Sequence, residues 1–171
     1  MKNIVLIGMP AAGKSTIGVL LAKTLGFAFV DTDLIIQQRA GRLLQNIIEQ
    51  DGLDVFCIDE ERAICSVSAE SNTVIATGGS AVYSREAMLF LKKNGLVYYL
   101  SLPVGELSKR LSNITTRGIA KRPEDTVEDV FRIRAELYRE YADITIDCLG
   151  KTAEETVAEI CGYHKLAGGE V

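Results

Sequence analysis

The stretch Gly8-Met9-Pro10-Ala11-Ala12-Gly13-Lys14-Ser15-Thr16 leaves this chain few choices of fold. It fits the pattern G-x-x-x-x-G-K-[ST]. The apolar run Ile4-Val5-Leu6-Ile7 precedes it, and the helical stripe Ile17, Leu20, Leu21 and Leu25 follows. A strand, a glycine-rich turn and a helix in that order aim successive backbone N–H groups at phosphate oxygens. The helix adds the positive end of its dipole. Gly8 and Gly13 allow the backbone to curl. Lys14 would reach the outer phosphates, and the Ser15 hydroxyl is a natural ligand for Mg²⁺. Gly8, Ala11, Ala12, Gly13, Lys14, Ser15 and Thr16 are therefore the candidate contacts to a nucleoside triphosphate.

The rest of the chain repeats the alternation. Residues 27–30 (FAFV), 73–76 (TVIA), 96–100 (LVYYL) and 143–147 (DITID) read as further strands. Their continuous apolar character suggests a parallel sheet covered on both faces. Between them lie helical patterns. Ser84 caps one that carries Ala87, Met88 and Leu91 and stops at Asn94-Gly95. Thr152 and Glu155 form a capping box before Val157, Ile160, Cys161 and His164. Cys161 and His164 have metal-ligand spacing but no second ligand pair, so they read as one face of a terminal helix. The expected fold class is α/β, a three-layer sandwich around a five-stranded parallel sheet.

At 171 residues, with no repeat or linker-like stretch, residues 1–171 are expected to form a single domain. The net charge of −4 offers no general attraction for nucleic acid or an anionic membrane. The four-residue apolar run near the N-terminus is too short for a signal-peptide core, and no stretch approaches a membrane span. The cytoplasm is the expected location. An Asp-x-x-Gly occurs only at Asp147–Gly150, and Asn-Lys-x-Asp is absent, which argues against a GTPase switch.

Candidate acceptor-side residues follow from position. Asp31 and Asp33 end the second strand, where ligands of open parallel sheets bind. One carboxylate there could hold Mg²⁺ through water and the other could orient a hydroxyl; helix N-capping explains the pair equally well. Gly78 and Gly79 end the third strand and allow close backbone approach to a ligand, or simply a tight turn. Residues 107–123 hold Lys109, Arg110, Arg117, Lys121 and Arg122 and no acid, which suits a lid over phosphates as well as a solvated loop. Arg117 is the candidate for the transferring phosphate. Arg134 lies in the apolar stripe Val127, Val130, Phe131, Tyr138 and Tyr141, with no acid three or four residues away. An inward guanidinium needs an anion, either a ligand or a distant acid.

Together these residues resemble the shikimate kinase family. The resemblance is carried by GMPAAGKST, Asp31-Thr32-Asp33, Thr77-Gly78-Gly79-Ser80, the stretch from Arg110 to Arg117, and residues 134–143 (RAELYREYAD). It implies a P-loop kinase fold of strand order 2-3-1-4-5, with an acceptor-binding helical segment at about 32–62 and a mobile lid at about 112–123. It implies transfer of the γ-phosphate of MgATP to a hydroxyl of shikimate by a monomer. Lys14 and Ser15 would serve phosphate and Mg²⁺, and Asp31 would support the metal through water. Asp33, Gly78, Gly79 and Arg134 would meet the acceptor, Arg110 would lie against adenine, and Arg117 would be the lid residue. Lys14, Asp33 and Arg117 are the catalytic candidates.

Three positions depart from the family pattern. Phe56-Cys57-Ile58-Asp59-Glu60 has cysteine where the family's Phe-Arg-x-x-Glu has an arginine that holds the acceptor's carboxylate. A glycine triplet has become Gly78-Gly79-Ser80, and Pro-Leu-Leu after Arg117 has become Gly118-Ile119-Ala120. Losing one partner of a buried charged pair costs about 2–5 kcal/mol. Residues 49–61 are also acidic, with Glu49, Asp51, Asp54, Asp59, Glu60 and Glu61. One or two of these turned inward would suit an acceptor bearing an ammonium, such as homoserine. A nucleotide-binding regulator without acceptor turnover and a nucleoside monophosphate kinase are the remaining alternatives.

Overall fold

The computed structural model describes residues 2–68, 72–112 and 119–167. In chain order the elements are β1 (Asn3–Ile7), α1 (Lys14–Leu25), β2 (Ala28–Asp31), α2 (Thr32–Ala40), α3 (Leu44–Cys65) and β3 (Thr73–Ala76). A 3₁₀ turn (Ala81–Tyr83), α4 (Arg85–Asn94), β4 (Gly95–Ser101) and α5 (Val104–Ser112) follow. The last three are α6 (Val127–Tyr141), β5 (Ile144–Asp147) and α7 (Ala153–Leu166). All five strands pair in parallel in the order β2-β3-β1-β4-β5.

Burial explains why the strands read so clearly. Ile4, Val5, Leu6 and Ile7 are each fully buried although alternate side chains point to opposite faces, so helices cover both sides of the sheet. The edge strands β2 and β5 keep exposed positions, and their sequences are less uniformly apolar. β2 begins one residue later than the apolar run, because the Phe27 N–H bonds to the Ala22 carbonyl and closes the end of α1 over Gly26. The Ser84 hydroxyl accepts from the Ala87 N–H at 3.0 Å, and the Thr152–Glu155 box caps α7. A second box, Thr126 with Asp129, caps α6.

Most of the core lies around β1, β3 and β4. A smaller cluster of Ile36, Ile47, Phe56, Ala63 and Ala120 ties α2 and α3 to the segment before α6. Gly52 interrupts α3 at φ 84°, ψ 167°; beyond it Phe56, Glu60, Ala63 and Ile64 share the buried face. His164 is buried with Nδ1 3.3 Å from the Tyr98 hydroxyl and its ring edge-on to Phe27. Among the described residues no helix is long and apolar enough to cross a membrane.

Candidate active site

The loop between β1 and α1 has the curl expected of it. Gly8 stands at φ 146°, and a Cβ there would lie 2.8 Å from the Leu100 carbonyl oxygen; Gly13 stands at φ 95°. Ala11 is held at φ 66°, a left-handed conformation that costs a non-glycine residue about 1 kcal/mol or more and collects at functional sites. No side chain caps the first turn of α1, whereas α2, α4, α6 and α7 are capped by Asp31, Ser84, Thr126 and Thr152. The uncapped N–H groups suit a phosphate. Lys14 is buried and donates from Nζ to the carbonyls of Gly8 at 2.7 Å and Met9 at 2.8 Å, folded over the loop it belongs to. Ser15 is half-buried and Thr16 exposed on the same turn. Arg110 reaches from α5 and donates to the Ala11 carbonyl at 3.3 Å.

The acceptor-side candidates gather at the end of β3. A Cβ on Gly78 would meet Glu60 Oε1 at 2.1 Å and Asp33 Oδ1 at 2.8 Å. A Cβ on Gly79 would meet Pro10 Cδ at 2.6 Å and Arg134 Nη1 at 3.2 Å. Two adjacent glycines therefore bring the phosphate loop, two carboxylates and a guanidinium into one neighbourhood. The dipeptide is held on both sides: the Gly78 N–H donates to the Thr32 hydroxyl at 3.3 Å, and the Tyr138 hydroxyl donates to the Gly79 carbonyl at 2.6 Å. Burial pushes the Tyr138 phenol well above its ordinary range, so it remains a donor at all working pH values.

Arg134 is 1 % exposed, and among the described residues no carboxylate forms an ion pair with it. Its Nε donates to the Tyr83 hydroxyl at 3.1 Å, Nη2 donates to the Ala120 carbonyl, and the guanidinium lies 5.0 Å from the centre of the Tyr83 ring. Among the described residues Nη1 is buried without a partner. A distant internal acid is therefore not what holds this cation; a carbonyl and a phenol do. Arg132, on the exposed side of the same helix, pairs with Asp129 at 3.0 Å.

The two aspartates separate in role. Asp31 caps α2, accepting from the Asp33 N–H at 3.0 Å, while Asp33 turns its buried side chain toward Gly78. Arg117 and residues 113–118 of the lid stretch lie outside the described residues. Of that stretch's other cations, Lys109 pairs with Glu106 at 2.7 Å, and Lys121 donates to the Asp125 carbonyl at 2.9 Å.

Glu60, the glutamate of the Phe-Arg-x-x-Glu pattern and one of the six acids of residues 49–61, is the one of those six that is buried. Its Oε2 accepts from the Ser80 hydroxyl at 2.5 Å, and among the described residues its Oε1 has no partner. Its pKa is raised to about 7, chiefly by burial and also by Asp33, against the Ser80 bond, Arg134 and Lys14, which pull it down. Cys57, one turn earlier, is half-buried, and burial with the Glu60 charge pushes its thiol up to about 11. Together with Glu60, Ser80 and Tyr83 it lines a small cavity of about 150 Å³. The signal for Glu60 was the one that singled out Arg134: a lone charge in an apolar helical stripe, here Phe56, Ala63 and Ile64.

Comparison with known proteins places this geometry. The family model described as shikimate kinase matches residues 10–164. The shikimate kinase of Thermodesulfovibrio yellowstonii is 38% identical, covering 99% of both chains. That of Caldanaerobacter subterraneus is 36% identical over 98% of this chain and 99% of its own. Among solved structures, shikimate kinase from Acinetobacter baumannii in complex with shikimate superposes with a TM-score of 0.90 at 31% identity, covering 99% of this chain and 96% of that one. The Aquifex aeolicus enzyme gives 0.83 at 32% identity, covering 97% and 98%. Likeness of sequence and of backbone thus run together from end to end, and the chain belongs to the shikimate kinase family.

Proposed function

We propose that this chain is an ATP-dependent kinase that phosphorylates shikimate. The observation that carries the reading is the Gly78-Gly79 dipeptide, which has Asp33 and Glu60 against one residue and Pro10 and Arg134 against the next. An acceptor bound there would have its carboxylate beside the unpartnered Nη1 and a hydroxyl beside Asp33, adjacent to the phosphate loop. Family membership supports the same acceptor.

In this reading the loop N–H groups and the first turn of α1 cradle the triphosphate, and Arg110 holds the loop from the nucleotide side. Lys14 would exchange its two loop carbonyls for phosphate oxygens. Among the described residues no group of three or more potential ligands could hold a metal alone, so Mg²⁺ fits only with phosphate oxygens, the Ser15 hydroxyl and water near Asp31. Mg²⁺ would neutralise charge on the transferring group. Asp33 accepts a hydrogen bond from the acceptor hydroxyl and orients it for in-line attack on the γ-phosphorus; ADP leaves, and the hydroxyl proton passes to Asp33 or to the new phosphate. Arg117 remains the candidate to cover the transferring phosphate. The chain is proposed to do this as a monomer.

Purified protein with MgATP and shikimate should release ADP in step with shikimate 3-phosphate. Turnover of homoserine instead, for which the inward Glu60 would supply a counter-charge, would replace this reading with the amino-acid alternative. Tight ATP binding with neither product would make the chain a nucleotide-binding regulator.

A further inference from the structure

The acceptor pocket contains a carboxyl group whose surroundings penalise its charge. Glu60 is 1 % exposed, and among the described residues the one hydrogen bond to its carboxyl group comes from Ser80. On its own helix, Asp59 faces Arg62 at 3.7 Å and Glu61 accepts from Ser84 at 2.6 Å, which leaves Cys57 as the neighbouring titratable group. From α2 comes Asp33, whose Oδ1 approaches the same point beside Gly78 as Glu60 Oε1, putting the two oxygens within about 5 Å of each other. From the other elements come Lys14 of α1, Tyr83 of the 3₁₀ turn, and Arg134 and Tyr138 of α6. Among the described residues no lysine or arginine forms an ion pair with Glu60, and Oε1 has no partner. A water-excluded carboxylate with one donor and a second carboxylate nearby is penalised twice, by desolvation and by like charge. Protonating Oε1 removes both penalties and leaves the Ser80 bond to Oε2 intact.

We propose that Glu60 is a specificity-determining residue that stands in the pocket as a neutral carboxylic acid, donating its Oε1 proton to an oxygen atom of the acceptor. This rests on the acceptor reading above and sharpens it: the pocket prefers a hydroxyl or carboxylate oxygen at that point over an ammonium. The proton comes from solvent, and no bond to it is made or broken in phosphoryl transfer. Burial is what keeps it in place up to a pH of about 7. Acceptor affinity is then full below that midpoint and falls as pH rises through it, about tenfold per pH unit if only the neutral form binds.

The test uses the full chain. Carboxyl-carbon NMR of the empty enzyme, with the Glu60 resonance assigned by its loss in Glu60→Gln, should show that group titrating near 7. Ser80→Ala should move the midpoint upward, because the Ser80 bond favours the charged form. In steady-state assays the KM for shikimate should be flat below the midpoint and rise above it, with the KM for ATP as control. Glu60→Gln, which keeps an N–H donor at every pH, should abolish the rise. A Glu60 that titrates with ordinary carboxylates near 4 to 5 overturns the proposal whatever the acceptor. So does a KM rise that persists in Glu60→Gln, or a homoserine affinity that strengthens as pH rises. Failure of shikimate at all pH values with a neutral Glu60 would instead remove the acceptor assigned above, a distinguishable result.

Discussion

Arg134 has one satisfied edge and one unsatisfied edge, and that asymmetry suits it to the proposed role of anchoring the acceptor's carboxylate. Nε and Nη2 are fixed by Tyr83 and Ala120, so Nη1 is presented in a set direction toward Gly79. Lysine cannot hold two donors fixed while presenting a third in a set direction. Arg134→Lys should raise the KM for shikimate by roughly thirty-fold to several thousand-fold, the equivalent of about 2–5 kcal/mol, and leave the KM for ATP within a few-fold. Equal changes in both constants would show a general loss of structure instead. Cys57 gives the complementary test. It lines the same small cavity as Glu60 and Ser80, where it offers a neutral thiol. Cys57→Arg should supply the missing cation, draw Glu60 into its charged form, and strengthen shikimate binding by about tenfold or more, as a charge-assisted pair does. Calorimetric titration would measure it, and unchanged or weaker affinity would mean that the cysteine pocket cannot accommodate the guanidinium.

At the scale of elements, what could be read from the residues depended on whether an element answers to its own sequence or to its neighbours. Capping is local, so Ser84 and the Thr152–Glu155 box were legible, and the structure has both. Thr152→Ala should cost about 1 kcal/mol in chemical denaturation and leave both KM values unchanged, since α7 contributes nothing to the site. A change in the KM for ATP would contradict that separation. The three inner strands were legible because burial on both faces demands unbroken apolar runs. The Asp31-Thr32-Asp33 tripeptide was not separable by sequence, because a cap and a ligand want the same residue type at the same place. Only the direction of each side chain divides them, Asp31 to the helix end and Asp33 to Gly78. Glu60 was hidden among five other acids, since a charge run hides its inward member until the phase of the helix is known. Arg134 was visible because its helix places it among apolar residues with no acid one turn away.

For the whole molecule, the buried carboxyl proposed to shape the pocket also tilts the stability of the fold with pH. The ordinary Glu60 pKa of 4.5 applies to the unfolded chain, and burial raises it to about 7 in the folded one. Between those values the folded state binds more protons than the unfolded state, so stability falls as pH rises through that window. This slope is opposite in sign to that of an ion-paired acid. Below the window Glu60 is neutral in both states and costs nothing; above it the charged group is held in a site that disfavours it, at a cost of roughly 3 kcal/mol. Glu60→Gln removes the titration while keeping a group of the same shape, which can still accept from Ser80. The variant and the natural chain should therefore melt at similar temperatures near pH 5, and the variant should become the more stable of the two by pH 8. Differential scanning calorimetry across that range reads the divergence directly, with the titrating groups remote from Glu60 cancelling in the comparison. Melting curves that run parallel from pH 5 to 8 would mean that Glu60 is ionised throughout, and that the cavity beside Cys57 admits enough water to solvate it. In that case the same residue would be a standing negative charge in the pocket, and an acceptor with an ammonium would regain its advantage.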